Sequence, residues 1–222
     1  MKNSLASYSP DMASVTVVSS NSGPLAKIFY WKDEELKSHA KASIFTGSAR
    51  TVFAETPVEL KIVIDNLGSN EALALGRLYR PNFSCPLTTQ GRPREGAISR
   101  TKEFFKHSEG TGCLLLDVDT KDIPARIIEK LGGRSVIDVI HEVVPELNEC
   151  ARLIRASSSG GIVKPDGSMK PATGFHVFVW VKDQTQSKQL LQLMHDRFWE
   201  AGYGFYKISK SGSLLERSFI DM

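Results

Sequence analysis

Leu114-Leu115-Leu116-Asp117-Val118-Asp119 follows Gly112-Cys113 and carries an apolar run directly into two carboxylates. A short apolar run bounded by a glycine and a polar turn reads as a buried strand, here Gly112–Val118. Side chains alternate along a strand, so Asp117 and Asp119 leave it on the same face. Two like charges so placed repel unless a cation sits between them. Carboxylate oxygens are hard ligands, suited to Mg²⁺ or Mn²⁺ rather than zinc. The plainer alternative is a strand end entering a polar turn, and an isolated D-x-D does not separate the two.

Downstream of this strand the pattern alternates between helix and strand. Ile123, Ile127, Ile128 and Leu131 fall on one helical face, closed by Gly132-Gly133. Ser135 stands where a helix cap belongs, ahead of Val136, Val139, Ile140 and Val143. Ala151–Ala156 and Phe175–Val181 (FHVFVWV) read as strands, and Leu190, Met194 and Phe198 mark a helix from about Gln184 to Glu200. Gly204–Ser209 and Ser213–Asp221 read as two strands joined by Lys210-Ser211-Gly212. Val163–Pro171 reads as a hairpin excursion turning at Asp166-Gly167. The expected fold class is α+β, a mixed sheet flanked by helices.

Upstream, Ser14–Ser19 and Ala26–Trp31 are strand-like, and residues 1–12 read as a disordered tail. Thr56-Pro57-Val58-Glu59 is a capping box, followed by Leu60, Val63, Ile64 and Leu67 at helical spacing, with Gly68 as the stop. Between Arg77 and Lys106 stand seven basic residues and two acids, interrupted by prolines and glycines. That segment reads as a long basic loop, and its Arg92, Arg94 and Arg100 are candidates for contact with nucleic-acid phosphates.

Composition bounds the rest. With 222 residues, 41% of them hydrophobic, the chain can bury a real core, which excludes a fibrous or disordered protein. The apolar runs fall far short of the ~20 residues that span a bilayer. The first residues carry no apolar leader, which argues against secretion. Cys85, Cys113 and Cys150 have neither disulfide nor zinc spacing, as suits the cytoplasm. The net charge of +3 does not by itself require nucleic acid.

Three further features accompany the acid pair. Arg155-Ala156-Ser157-Ser158-Ser159-Gly160-Gly161 leaves one strand as small hydroxyls and glycines, a composition able to cradle phosphate oxygens. His176 sits inside the next strand, on the face of Phe178 and Trp180. At the end of the sequence, alternation puts Leu215, Arg217, Phe219 and Asp221 on one face. Arg217 and Asp221 there are either a salt bridge or a phosphate ligand and a metal ligand.

In order, the motifs read apolar-D-V-D, S-S-S-G-G, G-F-H within a strand, and apolar-I-D. Over Gly112–Asp221 this resembles the archaeo-eukaryotic primase superfamily, in particular primase-polymerases of plasmids and phages. The family carries an acid pair, a serine-x-histidine element and a later acid. Asp117, Asp119 and Asp221 match the acids and His176 the histidine, but Gly174 stands where the family has serine. The hydroxyl's role would then pass to Thr173 or to Ser157 and Ser159.

The resemblance implies a palm of mixed sheet with an RRM-like half and flanking helices. One catalytic domain would span 13–222, with an N-terminal part to 110 and the acid and histidine half from 111. Because the sequence stops one residue after Asp221, the expectation is a domain cut from a longer replication protein, followed by a helicase or helical priming module. The resemblance also implies a template-dependent nucleotidyltransferase, a DNA primase and DNA polymerase acting by two-metal phosphoryl transfer. Its partners would be single-stranded DNA template, primer and nucleoside triphosphates. Asp117, Asp119 and Asp221 would hold Mg²⁺ or Mn²⁺, and Ser157, Ser159, His176 and Arg217 the triphosphate. A metal-dependent nuclease could use the same acids. A non-catalytic RRM-like module is the third reading, although Phe175–Val181 lacks the basic-glycine element of that platform.

Overall fold

The computed structural model describes residues 12–41, 44–79, 84–91, 94–120 and 123–221. Of the tail expected over residues 1–12, residues 1–11 lie outside the described residues, as does Arg92. The chain divides into two compact units, one comprising residues 1–114 with 180–185, the other 115–179 with 186–222. No helix among the described residues is long and apolar enough to cross a membrane.

In the first unit the elements are β1 (Ala13–Ser20), β2 (Ala26–Lys32), β3 (Glu35–Lys41), β4 (Thr46–Ala54), α1 (Pro57–Asp65), β5 (Glu71–Leu75), β6 (Arg77–Leu78), β7 (Cys85–Thr88), β8 (Ile98–Ser99) and β9 (Phe105–Lys106). Described strands order as β5-β1-β4-β7-β8 in its main sheet. Val18, Ala49, Leu78 and Leu87 form a buried cluster there. Thr56 caps α1 by accepting from the Glu59 N–H at 3.2 Å, as the capping box requires. The helix ends at Asp65, before Gly68, because Asn66 turns back on the Ile62 carbonyl through both its backbone N–H and its side-chain amide.

Two expectations change here. The segment from Arg77 to Lys106 is not one open loop: its ends pair as β6 with β9, Arg77 opposite Lys106, and β7 and β8 extend the main sheet. A loop reading followed from the prolines and glycines, but short strands need only a few residues between them. The β2–β3 hairpin has a partner strand, Glu35–Lys41, that was not expected from its sequence, ELKSHAK, which is poor in β-branched residues. Its turn residues Asp33 and Glu34 both take positive φ, a conformation that glycine or asparagine usually signals.

The expected helix from Gln184 opens instead as a short 3-10 turn over Gln184–Gln186. Gln184 is wholly buried, accepting from the Ser108 N–H and donating to the Cys113 carbonyl. Gly112 lies where any side chain would collide with Gln184, which explains the glycine that opens the next strand.

That strand is β10 (Gly112–Asp119), followed by α2 (Ala125–Leu131), α3 (Val136–Val143), β11 (Arg152–Ala156), β12 (Gly174–Val181), α4 (Ser187–Glu200), β13 (Phe205–Ile208), β14 (Leu214–Arg217) and β15 (Ile220–Asp221). Described strands here order as β11-β12-β10-β15. Setting aside the inserted β13–β14 hairpin and taking α2 and α3 together as one crossover, the chain runs β-α-β-β-α-β with its strands ordered second, third, first, fourth. This is the split βαβ arrangement of ferredoxin-like and RRM sheets. The protein is thus α+β, as the sequence pattern predicts.

Alternation in β10 sorts its residues cleanly: Leu114, Leu116 and Val118 are buried while Asp117 and Asp119 are exposed. Val177 and Val179 of β12 and Ile127, Val139, Ile140 and Phe198 of the helices are buried as well. Ser135 caps α3 through the Asp138 N–H, and Gly132 ends α2 in the left-handed conformation. Ile128, expected on the inner face of α2, is 58% exposed, whereas Ile127 beside it is buried completely. The short helix leaves room for only a narrow buried stripe.

Replacing Leu116 by alanine should therefore cost about 2–5 kcal/mol, and Ile128→Ala no more than about 0.5 kcal/mol. Denaturant titration of the two variants against the parent checks the contrast.

Candidate functional site

The site lies on the second unit and grows from β10. Asp117 and Asp119, exposed on one face, are followed across the sheet by His176 of β12, whose Nε2 stands 3.6 Å from Asp117 Oδ1. Both side chains are solvated, Asp117 at 53% and His176 at 42% exposure. At that separation the imidazole and the carboxylate form an ion pair when the ring is protonated. On the outer side of β12, Arg155 of β11 is the direct register partner of His176. On the other side of β10, Asp221 of β15 is the register partner of Asp117. Arg155, His176, Asp117 and Asp221 thus occupy one transverse row over four strands. Sequence spacing gives no signal for the place of Arg155, which comes from cross-strand register alone.

The last strand differs from the expectation. Ser213–Asp221 is not continuous: β14 ends at Arg217, Ser218 and Phe219 leave the ladder, and β15 begins at Ile220. The shared face of Leu215, Arg217, Phe219 and Asp221 is lost with it. Phe219 is 1% exposed and packs edge-on against Phe198 with ring centroids 5.9 Å apart. The physical cause is Ser218, whose hydroxyl engages both the N–H and the carbonyl of Ile220 and so competes with strand pairing.

Arg217 instead lines a cleft of about 140 Å³ with Lys207, Asp119, Phe205 and Leu215. Register explains the grouping, since Phe205 stands opposite Arg217 and Lys207 opposite Leu215 in the β13–β14 hairpin. Two cations and one carboxylate share this cleft. Lys207 carries no motif in its strand, Phe-Tyr-Lys-Ile, so only the hairpin register reveals its place.

Ser157 and Ser159 lie in the turn after β11, their hydroxyl oxygens 3.3 Å apart. Ser157 donates its N–H to the Gly174 carbonyl at 2.8 Å. A Cβ added at Gly174 would lie 3.1 Å from Ser157 Oγ. The Ser157 side chain and the Val118 carbonyl oxygen, also 3.1 Å away, therefore share the space into which a side chain at position 174 would project. Thr173, the other candidate, engages Thr120 through its own backbone carbonyl, which accepts from both the N–H and the hydroxyl of Thr120.

The donors on the row are hard oxygens, which fit Mg²⁺ or Mn²⁺ by chemistry. Among the described residues no three His, Cys, Asp or Glu side chains converge on a common ion position. The backbone of Asp221 stands opposite Asp117 in the ladder. Cys113 is buried, and burial pushes its thiol up to about 12.

Arg94 and Arg100 belong to the first unit. Arg100 lines one cleft of about 460 Å³ with Thr88, Thr89, Ser99 and Thr101. Arg94 and Lys102 line a second of the same volume that shares those hydroxyl residues.

Comparison with known proteins adds no relative: no family model, no curated protein and no solved structure matches this chain.

The spatial exchange between Ser157 and position 174 has a direct test. Gly174→Ser should destabilise the protein by about 1–3 kcal/mol through overpacking, and Ser157→Ala in the same chain should recover only part of that loss, because the Val118 carbonyl oxygen lies equally close to the added Cβ and Ser157 Cβ remains. Thermal or chemical denaturation of the single and double variants measures the coupling.

Proposed function

We propose that the chain is a template-dependent nucleotidyltransferase, a DNA primase and DNA polymerase that joins nucleotides by two-metal-ion phosphoryl transfer. The observation that carries this reading is the juxtaposition on one sheet of the Asp117/Asp119 carboxylates, His176 and the register position of Asp221, with a cation-lined cleft beside Asp119. Phosphoryl transfer asks little covalent chemistry of a protein and much positioning and charge neutralisation. Bound Mg²⁺ or Mn²⁺ would supply activation of the attacking hydroxyl and neutralisation of the leaving pyrophosphate. Asp117, Asp119 and Asp221 would hold the ions.

The chain's own cations take the remaining charge. Arg217 and Lys207 would bind triphosphate oxygens in the cleft, and the Ser157/Ser159 turn would donate hydroxyl hydrogen bonds. His176, paired with Asp117, would orient a phosphate beside the acids. Template phosphates would be met by Arg94 and Arg100, whose clefts are rich in hydroxyls. A longer replication protein of a plasmid or phage is the setting this activity suits.

Hydrolysis of nucleic acid by the same acids is the second reading. The paired cations of Lys207 and Arg217 favour nucleoside triphosphate over it, since a nuclease has no pyrophosphate to hold. An RRM-like binding module is favoured by the strand order alone, whereas exposed Asp117 and Asp119 would repel a phosphate backbone without cations between them.

The deciding experiment supplies single-stranded template, labelled nucleotides and Mg²⁺ or Mn²⁺, with and without primer. Incorporation is expected and should vanish in Asp117→Ala and Asp119→Ala, with the far-UV spectrum of the fold retained; shortened template without incorporation would favour the nuclease. His176→Ala should chiefly raise the KM for nucleotide.

Neutralising Arg94 and Arg100 together should lower the log–log salt slope of single-stranded DNA affinity by about 1.4. An unchanged slope in fluorescence anisotropy titrations would remove these arginines from the template path.

A further inference from the structure

His195 lies on α4, 2% exposed, and the reaction proposed above makes no use of it. Trp199 Nε1 lies 2.9 Å from His195 Nε2. An indole N–H can only donate, so Nε2 accepts and carries no proton. The proton of the neutral ring is then on Nδ1, which donates to Ser218 Oγ at 3.1 Å. This leaves the Ser218 hydroxyl proton for the Ile220 carbonyl at 3.3 Å, and a second lone pair for the Ile220 N–H at 3.3 Å. All the bonding capacity of that hydroxyl is used.

Ser218 is the point where the chain leaves the β13–β14 hairpin and enters the four-strand ladder. The residue before it, Arg217, stands opposite Phe205 and lines the cleft beside Asp119. Two residues after it, Ile220 pairs with Val118, and then Asp221 with Asp117. Phe219, between them, gives its carbonyl to the Asp119 N–H at 3.3 Å. The donor end of the relay is also held in place. Trp199 lies 5.0 Å from Tyr206 between ring centroids, and any side chain at Gly204 would overlap its indole.

We propose that His195 is a positioning residue: the Trp199–His195–Ser218 relay locks the break between β14 and β15, holding Arg217 on the cleft and Asp221 in register with Asp117 at once. The catalytic consequence rests on the nucleotidyltransferase reading; the lock itself does not. A plain space-filling role for the ring would make no use of either nitrogen, and this is what the test separates.

His195→Phe keeps an aromatic ring and removes both hydrogen bonds, whereas His195→Asn keeps an N–H donor near the place of Nδ1. Residue-resolved amide exchange should show Asp119 and Ile220 exchanging about 10-fold faster in His195→Phe, as the loss of a hydrogen bond predicts, with Leu116 and Val139 at parental rates. His195→Asn should restore much of the protection. In primer extension, kcat/KM for nucleotide should fall about 10–100-fold in His195→Phe, the usual cost of losing a ligand's supporting partner, and recover in His195→Asn. Ser218→Ala, which removes a single oxygen from the break, must reproduce the local acceleration. Unchanged Asp119 and Ile220 amides in Ser218→Ala, or equal behaviour of the phenylalanine and asparagine variants, overturns the lock. If the parent chain incorporates no nucleotide, the functional reading falls, and the exchange contrast among these variants still decides the relay.

Discussion

Strand β10 has to satisfy two opposing demands with one alternation. Leu114, Leu116 and Val118 are withdrawn from water, and the same pleat turns Asp117 and Asp119 outward. Because side chains on a strand are spaced by the backbone itself, the spacing of the two carboxylates is as rigid as the core beneath them. Slipping β10 by one residue would bury both acids and expose the leucines, so packing of the apolar face enforces the register that places the acids. The row formed with Arg155, His176 and the position of Asp221 depends on that register at every strand.

Charge is arranged around the row rather than spread evenly. His176 approaches Asp117 from one neighbouring strand, while Lys207 and Arg217 share the cleft with Asp119. In the proposed reaction the two cations beside Asp119 would offset the charge of a polyphosphate held next to bound metal ions. The Ser157 hydroxyl, standing where a side chain at position 174 would project, adds a neutral donor to the same border.

The break at Ser218 has the largest structural consequence for its size. One hydroxyl ends a strand, releases Phe219 into the core against Phe198, and starts a new two-residue strand beside β10. An uninterrupted strand would have to carry Arg217 and Asp221 in one ladder. The interruption lets one residue serve the β13–β14 hairpin and the other the main sheet of the unit. Helix α4 supports both residues of the break, His195 touching Ser218 and Phe198 touching Phe219.

Much of this was legible in the primary structure wherever the physics is local. The LLLDVD run disclosed a buried strand with outward acids, Thr56 and Ser135 disclosed helix starts, Gly132 a helix end, and Asp166-Gly167 a turn. Each depends on a few neighbouring side chains and on backbone propensity. Other features had no local signal. The strand Glu35–Lys41 is made by its partner rather than by its own residues, and Ile128 is exposed because of what α2 packs against. Arg155 and Lys207 gain their places only from register, and Ser218 interrupts a strand only because Ile220 and His195 meet its hydroxyl. Residue types and alternation marked the acids, His176, the Ser157/Ser159 turn and Arg217 as candidates, but not Arg155 or Lys207. Which of them stand together was decided by the tertiary structure, because cross-strand register and buried hydrogen bonds join residues far apart in the chain, where sequence spacing says nothing.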